Sequence, residues 1–159
     1  MRWLKIDRDL VKAKNYALRL LTYRQRSQHE IKNRLEQKGY DQCIIEQTLD
    51  FLKDCKLIDD YQFAQQYIYN KISSAKPVGV NRMKYELVQL GIDKDIVSDA
   101  VATIDYQTEL DLAKKLVKRT INNKTSPPKS QKLVALLLRR GFSYNIIKEA
   151  LRDFDLDVT

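Results

Sequence analysis

Apolar positions along this chain fall into helical stripes that recur at matched offsets. Ile31 and Leu35, Met83 and Leu87, and Leu133 and Leu137 each stand four apart, as neighbours on one helix face do. Four residues after the second member of each pair comes glycine, at Gly39, Gly91 and Gly141. A bulky apolar residue follows directly (Tyr40, Ile92, Phe142), then Asp41, Asp93 or Ser143. A second stripe starts at Ile44-Ile45, Ile96-Val97 and Ile146-Ile147, and continues at Thr48-Leu49, Ala100-Val101 and Ala150-Leu151. The pattern predicts a helix ended by a left-handed glycine, then a second helix with Asp or Ser as its N-cap.

An earlier stripe precedes each pair: Tyr16-Ala17 with Leu20-Leu21, Phe63-Ala64 with Tyr67-Ile68, and Leu112-Ala113 with Leu116-Val117. The unit is therefore three helices long, and a period of about 50 residues repeats it three times. The connection between first and second helices is longer in the later copies, and it holds all three prolines (Pro77, Pro127, Pro128) and Gly79. In the first copy that connection is short, and Ser27 with Glu30 forms a capping-box signature. No convincing strand alternation appears. The expected fold is all-α: three tandem three-helix repeats, about nine helices, in an elongated and curved array whose units pack on their neighbours. The expected boundaries are 1–56 for an N-terminal tail and the first repeat, 57–105 for the second and 106–159 for the third.

Charge adds a direction to this body. The net charge of +8 divides by count into +3 over residues 1–14, +2 over 15–56, −2 over 57–105 and +5 over 106–159. Lys114, Lys115, Lys118, Arg119, Lys124, Lys129 and Lys132 crowd into one short stretch. Such a cluster fits a polyanion or an acidic protein surface. Arg139 and Arg140 also suit the last turn of a helix, where the dipole favours cations.

Chemistry for catalysis is sparse. His29 is the one histidine, and Cys43 with Cys55 has no metal-type spacing, so the two thiols are expected reduced and partly buried. Phosphate-cradling loops of the GxxxxGK[ST] or GxGxxG type are absent. The adjacent acids Asp59-Asp60 point about 100° apart on a helix, which fits an N-cap and a first-turn acid better than a shared ligand. The expectation is a non-enzyme with no metal and no cofactor. A monomer in the cytoplasm is expected as well: no apolar run spans a membrane, and MRWLKIDRDL lacks an apolar signal core.

Four stretches carry a resemblance. LIDDYQFAQQYI (Leu57 to Ile68) followed by GVNRMKYELVQLGI (Gly79 to Ile92) resembles the RecX family of bacterial recombination regulators. RQRSQHEIKNRLEQKGY (Arg24 to Tyr40) and LLLRRGFSYNIIKEAL (Leu136 to Leu151) are similar to that family's first and third repeats. The likeness runs from about Asn15 to Phe154, with one departure at Lys56, where the family usually places glycine. The resemblance implies a small basic all-helical protein that lies in the groove of the RecA–DNA filament. It would suppress ATP hydrolysis and strand exchange there, favour filament loss, and touch single- and double-stranded DNA weakly. The basic positions assigned to RecA or DNA contact are Arg24, Arg26, Arg34, Lys38, Lys114, Lys118, Arg119, Lys124, Lys129, Lys132, Arg139 and Arg140.

Two other readings stay open at this level. One is a DNA-binding protein of helix-turn-helix-like units, although IIEQTLDFL and IVSDAVATI offer almost nothing suited to base edges. The other is an interaction solenoid without DNA affinity.

Overall fold

The computed structural model describes residues 2–123 and 128–156. Nine helices and no strands occur among them: α1 (Arg2–Tyr23), α2 (Gln28–Gln37), α3 (Gln42–Asp54), α4 (Asp60–Ser73), α5 (Val80–Gln89), α6 (Lys94–Val101), α7 (Tyr106–Asn122), α8 (Ser130–Arg139) and α9 (Tyr144–Arg152). The all-α helical repeat is thus observed. In each unit the first helix packs on the third: α1 on α3, α4 on α6 and α7 on α9. The second helix lies against the third through the paired apolar positions, and Ile31, Leu35, Met83, Leu87, Leu133 and Leu137 are all buried. Truncating one of these to alanine removes contacts worth about 2–5 kcal/mol.

The glycine turns end α2, α5 and α8 as backbone geometry requires. Gly39, Gly91 and Gly141 have φ of 80°, 76° and 86°. Past each glycine the chain returns a hydrogen bond to the paired leucine. Tyr40 N donates to Leu35 O (3.3 Å), Ile92 N to Leu87 O (3.1 Å) and Phe142 N to Leu137 O (3.1 Å), which satisfies a carbonyl the helix end leaves open. The caps that follow are unequal. Asp93 accepts from Asp95 N and Ser143 from Ile146 N, but Asp41 occupies the N-cap of α3 without a side-chain bond. Ser27 and Glu30 form the full capping box at α2.

One expectation changes. Cys43 and Cys55 are exposed rather than partly buried. Cys43 precedes the buried Ile44-Ile45 stripe and so lies off it, while Cys55 is the C-cap of α3. Lys56 takes φ 54°, so the position where the resemblance expects glycine does adopt the left-handed conformation, with a lysine in it.

The apolar interior is in two pieces. One cluster belongs to the first unit and runs from Ala13 to Ile58. The other runs from Phe63 to Leu151 through both later units. The first junction is accordingly polar and the second apolar. The total accessible surface of 10438 Å² exceeds the roughly 8,300 Å² of a compact monomer of this mass, which agrees with an extended stack.

The same device joins the units at both junctions. At the first, Asp60 Oδ1 at the start of α4 accepts from Gln28 N (2.8 Å), the first amide of α2. At the second, Glu109 Oε1 in the first turn of α7 accepts from Val80 N (3.0 Å), the first amide of α5. The glycine turn of the later unit receives the same helix start. Ser27 Oγ donates to Leu90 O (2.6 Å), while Gly79 N donates to Arg140 O (2.9 Å) and Asn81 N to Gly141 O (3.2 Å). Orphan amides at a helix start are thus satisfied by the next unit.

Candidate partner and nucleic-acid surface

The turn that ends α8 divides two neighbouring basic side chains. Arg139 borders a groove of about 700 Å³ with Tyr67, Arg82, Tyr85, Glu86 and Leu90. Arg140 borders a separate, smaller cavity with Lys76 and Arg119. Backbone contact with α5 fixes the turn, so both arginines start from a held position.

Glu86 organises the floor of the larger groove. Tyr67 Oη donates to it, Lys71 Nζ pairs with it at 2.7 Å, and Arg82 Nε donates at 2.7 Å. Burial alone would raise this carboxyl, but the hydrogen bonds from Lys71, Tyr67 and Arg82 outweigh it and hold the group down to about 2. Burial and the same bond to Glu86 push the Tyr67 phenol up. Arg82 also donates to Arg139 O (3.2 Å), so α4, α5 and the α8 turn share one network. Tyr85 stands on the groove wall and is exposed. Tyr67 further borders a second cavity of about 410 Å³ with Arg24, Gln25, Phe63, Gln66 and Asn70. Tyrosine, guanidinium and amide groups suit both protein hot spots and stacked bases.

The basic residues singled out from sequence differ in their surroundings. Arg24 pairs with Glu30 at 2.5 Å. Arg26 donates to Leu20 O (3.3 Å) and is only 12% exposed, so it is committed to the first unit. Arg34 is exposed in the last turn of α2, and Lys38 lies over the Tyr16 ring at 5.4 Å. Lys114 pairs with Asp153 at 2.5 Å, while Lys118 on the same helix is exposed. Arg119 Nη1 donates to Ala75 O (2.6 Å). Lys129, at the N-cap of α8, and Lys132 are exposed. Lys124 lies outside the described residues. Lys76, Arg82 and Tyr85 were not singled out from sequence, and Tyr67 was read only as a position in a helical stripe. Arg82 occupies the place that Glu30 holds in the first unit, and that reversal of charge at a matched offset was the available signal.

The acids Asp59 and Asp60 have separate structural roles. Asp59 accepts from Gln62 N (3.0 Å) as N-cap of α4, and Asp60 reaches across to Gln28. Burial raises Asp60 more than the bond from Gln28 lowers it. No group of three or more His, Cys, Asp and Glu side chains able to hold a metal occurs among the described residues. Nor is any described helix long and apolar enough to cross a membrane.

Residues 13–52 match the family model for the first three-helix domain of RecX, and residues 105–151 that for the third. The regulatory protein RecX of Clostridium perfringens is 32% identical over 149 residues, covering 91% of this chain and 69% of the relative. That of Clostridioides difficile is 34% identical over 148 residues, with the same coverage. The crystal structure of RecX from Lactobacillus salivarius superposes with a TM-score of 0.80 at 27% identity, covering 94% of this chain and 98% of that one.

Proposed function

The chain belongs to the RecX family of regulatory proteins, and we infer that it binds the RecA–DNA filament and restrains RecA's ATP hydrolysis and strand exchange. Family membership carries this reading. The geometry supports it in a specific way. Each unit is latched to the next by a carboxylate and a turn carbonyl, so side chains on different units keep a fixed spacing. A partner that repeats along a helical filament is met best by a body with such fixed spacing. The groove lined by Tyr67, Arg82, Tyr85 and Arg139 is the surface assigned to RecA, because tyrosine and arginine in a concave site are the residues that dominate protein interfaces. Basic side chains outside that groove are assigned to the phosphates of the filament's DNA. The protein acts as a monomer inside the cell and performs no chemistry of its own.

The experiment is a titration of the purified protein, below the RecA concentration, into RecA hydrolysing ATP on single-stranded DNA. Turnover falls as the protein is added, and the protein alone hydrolyses none. The variant Tyr85→Ala with Arg139→Ala inhibits less, at unchanged helical content. Constant turnover across the titration removes the reading.

A further inference from the structure

Helix α7 carries basic residues on two sides, and their partners differ. Lys114 meets Asp153, as above. Lys115 and Arg119 instead grip the loop after α4. Lys115 Nζ donates to Ser74 O (3.1 Å) and Arg119 Nη1 to Ala75 O (2.6 Å). These two bonds place the next residue, Lys76, beside the C-terminal half of α7. Arg140, the C-cap of α8, borders the same place. Lys76, Arg119 and Arg140 border one cavity of about 220 Å³, with Leu116 and Leu136 as its apolar wall and Asn123 at its edge.

No carboxylate borders this cavity. Among the described residues none of the three cations has an acidic partner within ion-pair distance. The chain has 21 acidic residues, so an acid-free meeting of three cations from three segments is not for want of acids. Helix dipoles account for part of it: Arg119 and Arg140 both sit at helix C-terminal ends, where a cation is favoured. They do not account for Lys76, which lies on a loop and is carried there by two hydrogen bonds. The cavity is smaller than the range usual for small-molecule sites, and it opens to solvent. That suits one segment of a polymer that continues past it.

We propose that this cavity binds a backbone phosphate of DNA. Lys76, Arg119 and Arg140 supply charge, the guanidiniums supply paired donors to phosphate oxygens, and Leu116 and Leu136 lie against the sugar. The proposal rests on the reading that this chain meets filament DNA, and adds where the strand is held.

The test uses the full chain and a fluorescein-labelled oligodeoxythymidine, without RecA, with affinity read by anisotropy across a range of KCl concentrations. Lys76→Gln with Arg140→Gln leaves the bond from Arg119 to Ala75 intact and removes two of the three charges that hold the phosphate. The slope of log affinity against log salt is expected to flatten by about 0.7, the share of one phosphate on a single strand, at unchanged thermal unfolding. Lys32→Gln with Lys53→Gln removes the same charge at two surface pairs, with Glu36 (3.9 Å) and Asp50 (4.0 Å), and leaves the slope unchanged. An unchanged slope in the cavity variant, an equal change in the control, or no binding by the parent chain overturns the proposal. The RecA titration is a separate arm. A parent that binds the oligonucleotide through this cavity but leaves RecA turnover constant would remove the regulatory reading and keep the phosphate site.

Discussion

Gly79 lies directly against Gly141, across the junction of the second and third units. A Cβ built on Gly79 would come within 2.5 Å of Gly141 C and Phe142 N, both backbone atoms. Its own φ is −77°, which any residue adopts, so glycine is required here by space alone. Gly39 is the opposite case: its φ is 80°, and a Cβ there would meet nothing within 4 Å. Gly39→Ala should therefore cost about 1 kcal/mol from backbone strain. Gly79→Ala should cost about 2 kcal/mol through overpacking and raise hydrogen exchange at Asn81 and Phe142. Thermal unfolding of the pair, with exchange read at those amides, checks the contrast.

Gly91 combines both constraints. A Cβ there would overlap the Cβ and Cγ of His29 in the first unit, and φ is 76°. Gly91→Val is expected to lose more stability than Gly39→Val by at least about 1 kcal/mol. Equal unfolding midpoints for the two variants would show that the first junction carries no tight contact.

Asp60 latches the first junction at an electrostatic cost. Burial raises its pKa despite the bond from Gln28, so the folded state holds the proton more tightly than the unfolded chain. Its contribution to stability therefore falls as pH rises through that raised value. Asp60→Asn keeps an oxygen for Gln28 N and avoids the buried charge. The variant should gain on the parent as pH climbs from about 4 towards 7, whereas Asp60→Ala should lose about 1 kcal/mol by leaving the amide unpaired. Urea unfolding at several pH values separates the two.

Glu86 has the reverse sign. Its folded pKa of about 2 lies below the ordinary 4.5, so its contribution is complete above 4.5 and is lost as pH falls towards 2. Glu86→Gln should be less stable than the parent by about 1 kcal/mol at neutral pH, the network being partly hydrated. The gap should close in acid. A gap that persists at pH 2 would mean that packing, not charge, is what the glutamate supplies.

Lys56 is a stability reserve. A lysine at φ 54° bears a left-handed strain that glycine avoids. Lys56→Gly is expected to raise stability by about 1 kcal/mol, or about 2–4 °C in Tm for a chain of this length.

The helices and turns were legible because their signals are local. Leu35, Gly39 and Asp41 stand within seven residues of one another, and hydrophobic spacing, handedness and capping act over that range. The latches were not legible in the same way. Gln28 and Val80 take part through backbone amides, which every residue except proline has, so side-chain identity does not mark them. The acids left a faint trace. Asp60 and Glu109 stand three residues before Phe63 and Leu112, while the matching place before Tyr16 is Ala13. An acid thus occurs only where a unit precedes it. The basic surface was harder still, because exposure and pairing decide which lysines are available. Lys114 and Lys118 look equivalent on a helix wheel, yet one has Asp153 and the other has solvent.

The latches all run one way. The acid and the turn carbonyl always come from the later unit, and the helix start that they satisfy always belongs to the earlier one. During synthesis the first unit leaves the ribosome before the acceptors of Gln28 N and Ser27 Oγ, which are Asp60 and Leu90, have been made. The second unit waits in the same way for Glu109 and Arg140. A nascent chain truncated after residue 56 keeps the Ser27–Glu30 capping box but lacks the acceptors for Gln28 N and Ser27 Oγ. Translation therefore finishes each of the first two units with material from the next, and the order of assembly is written into the direction in which the message is read.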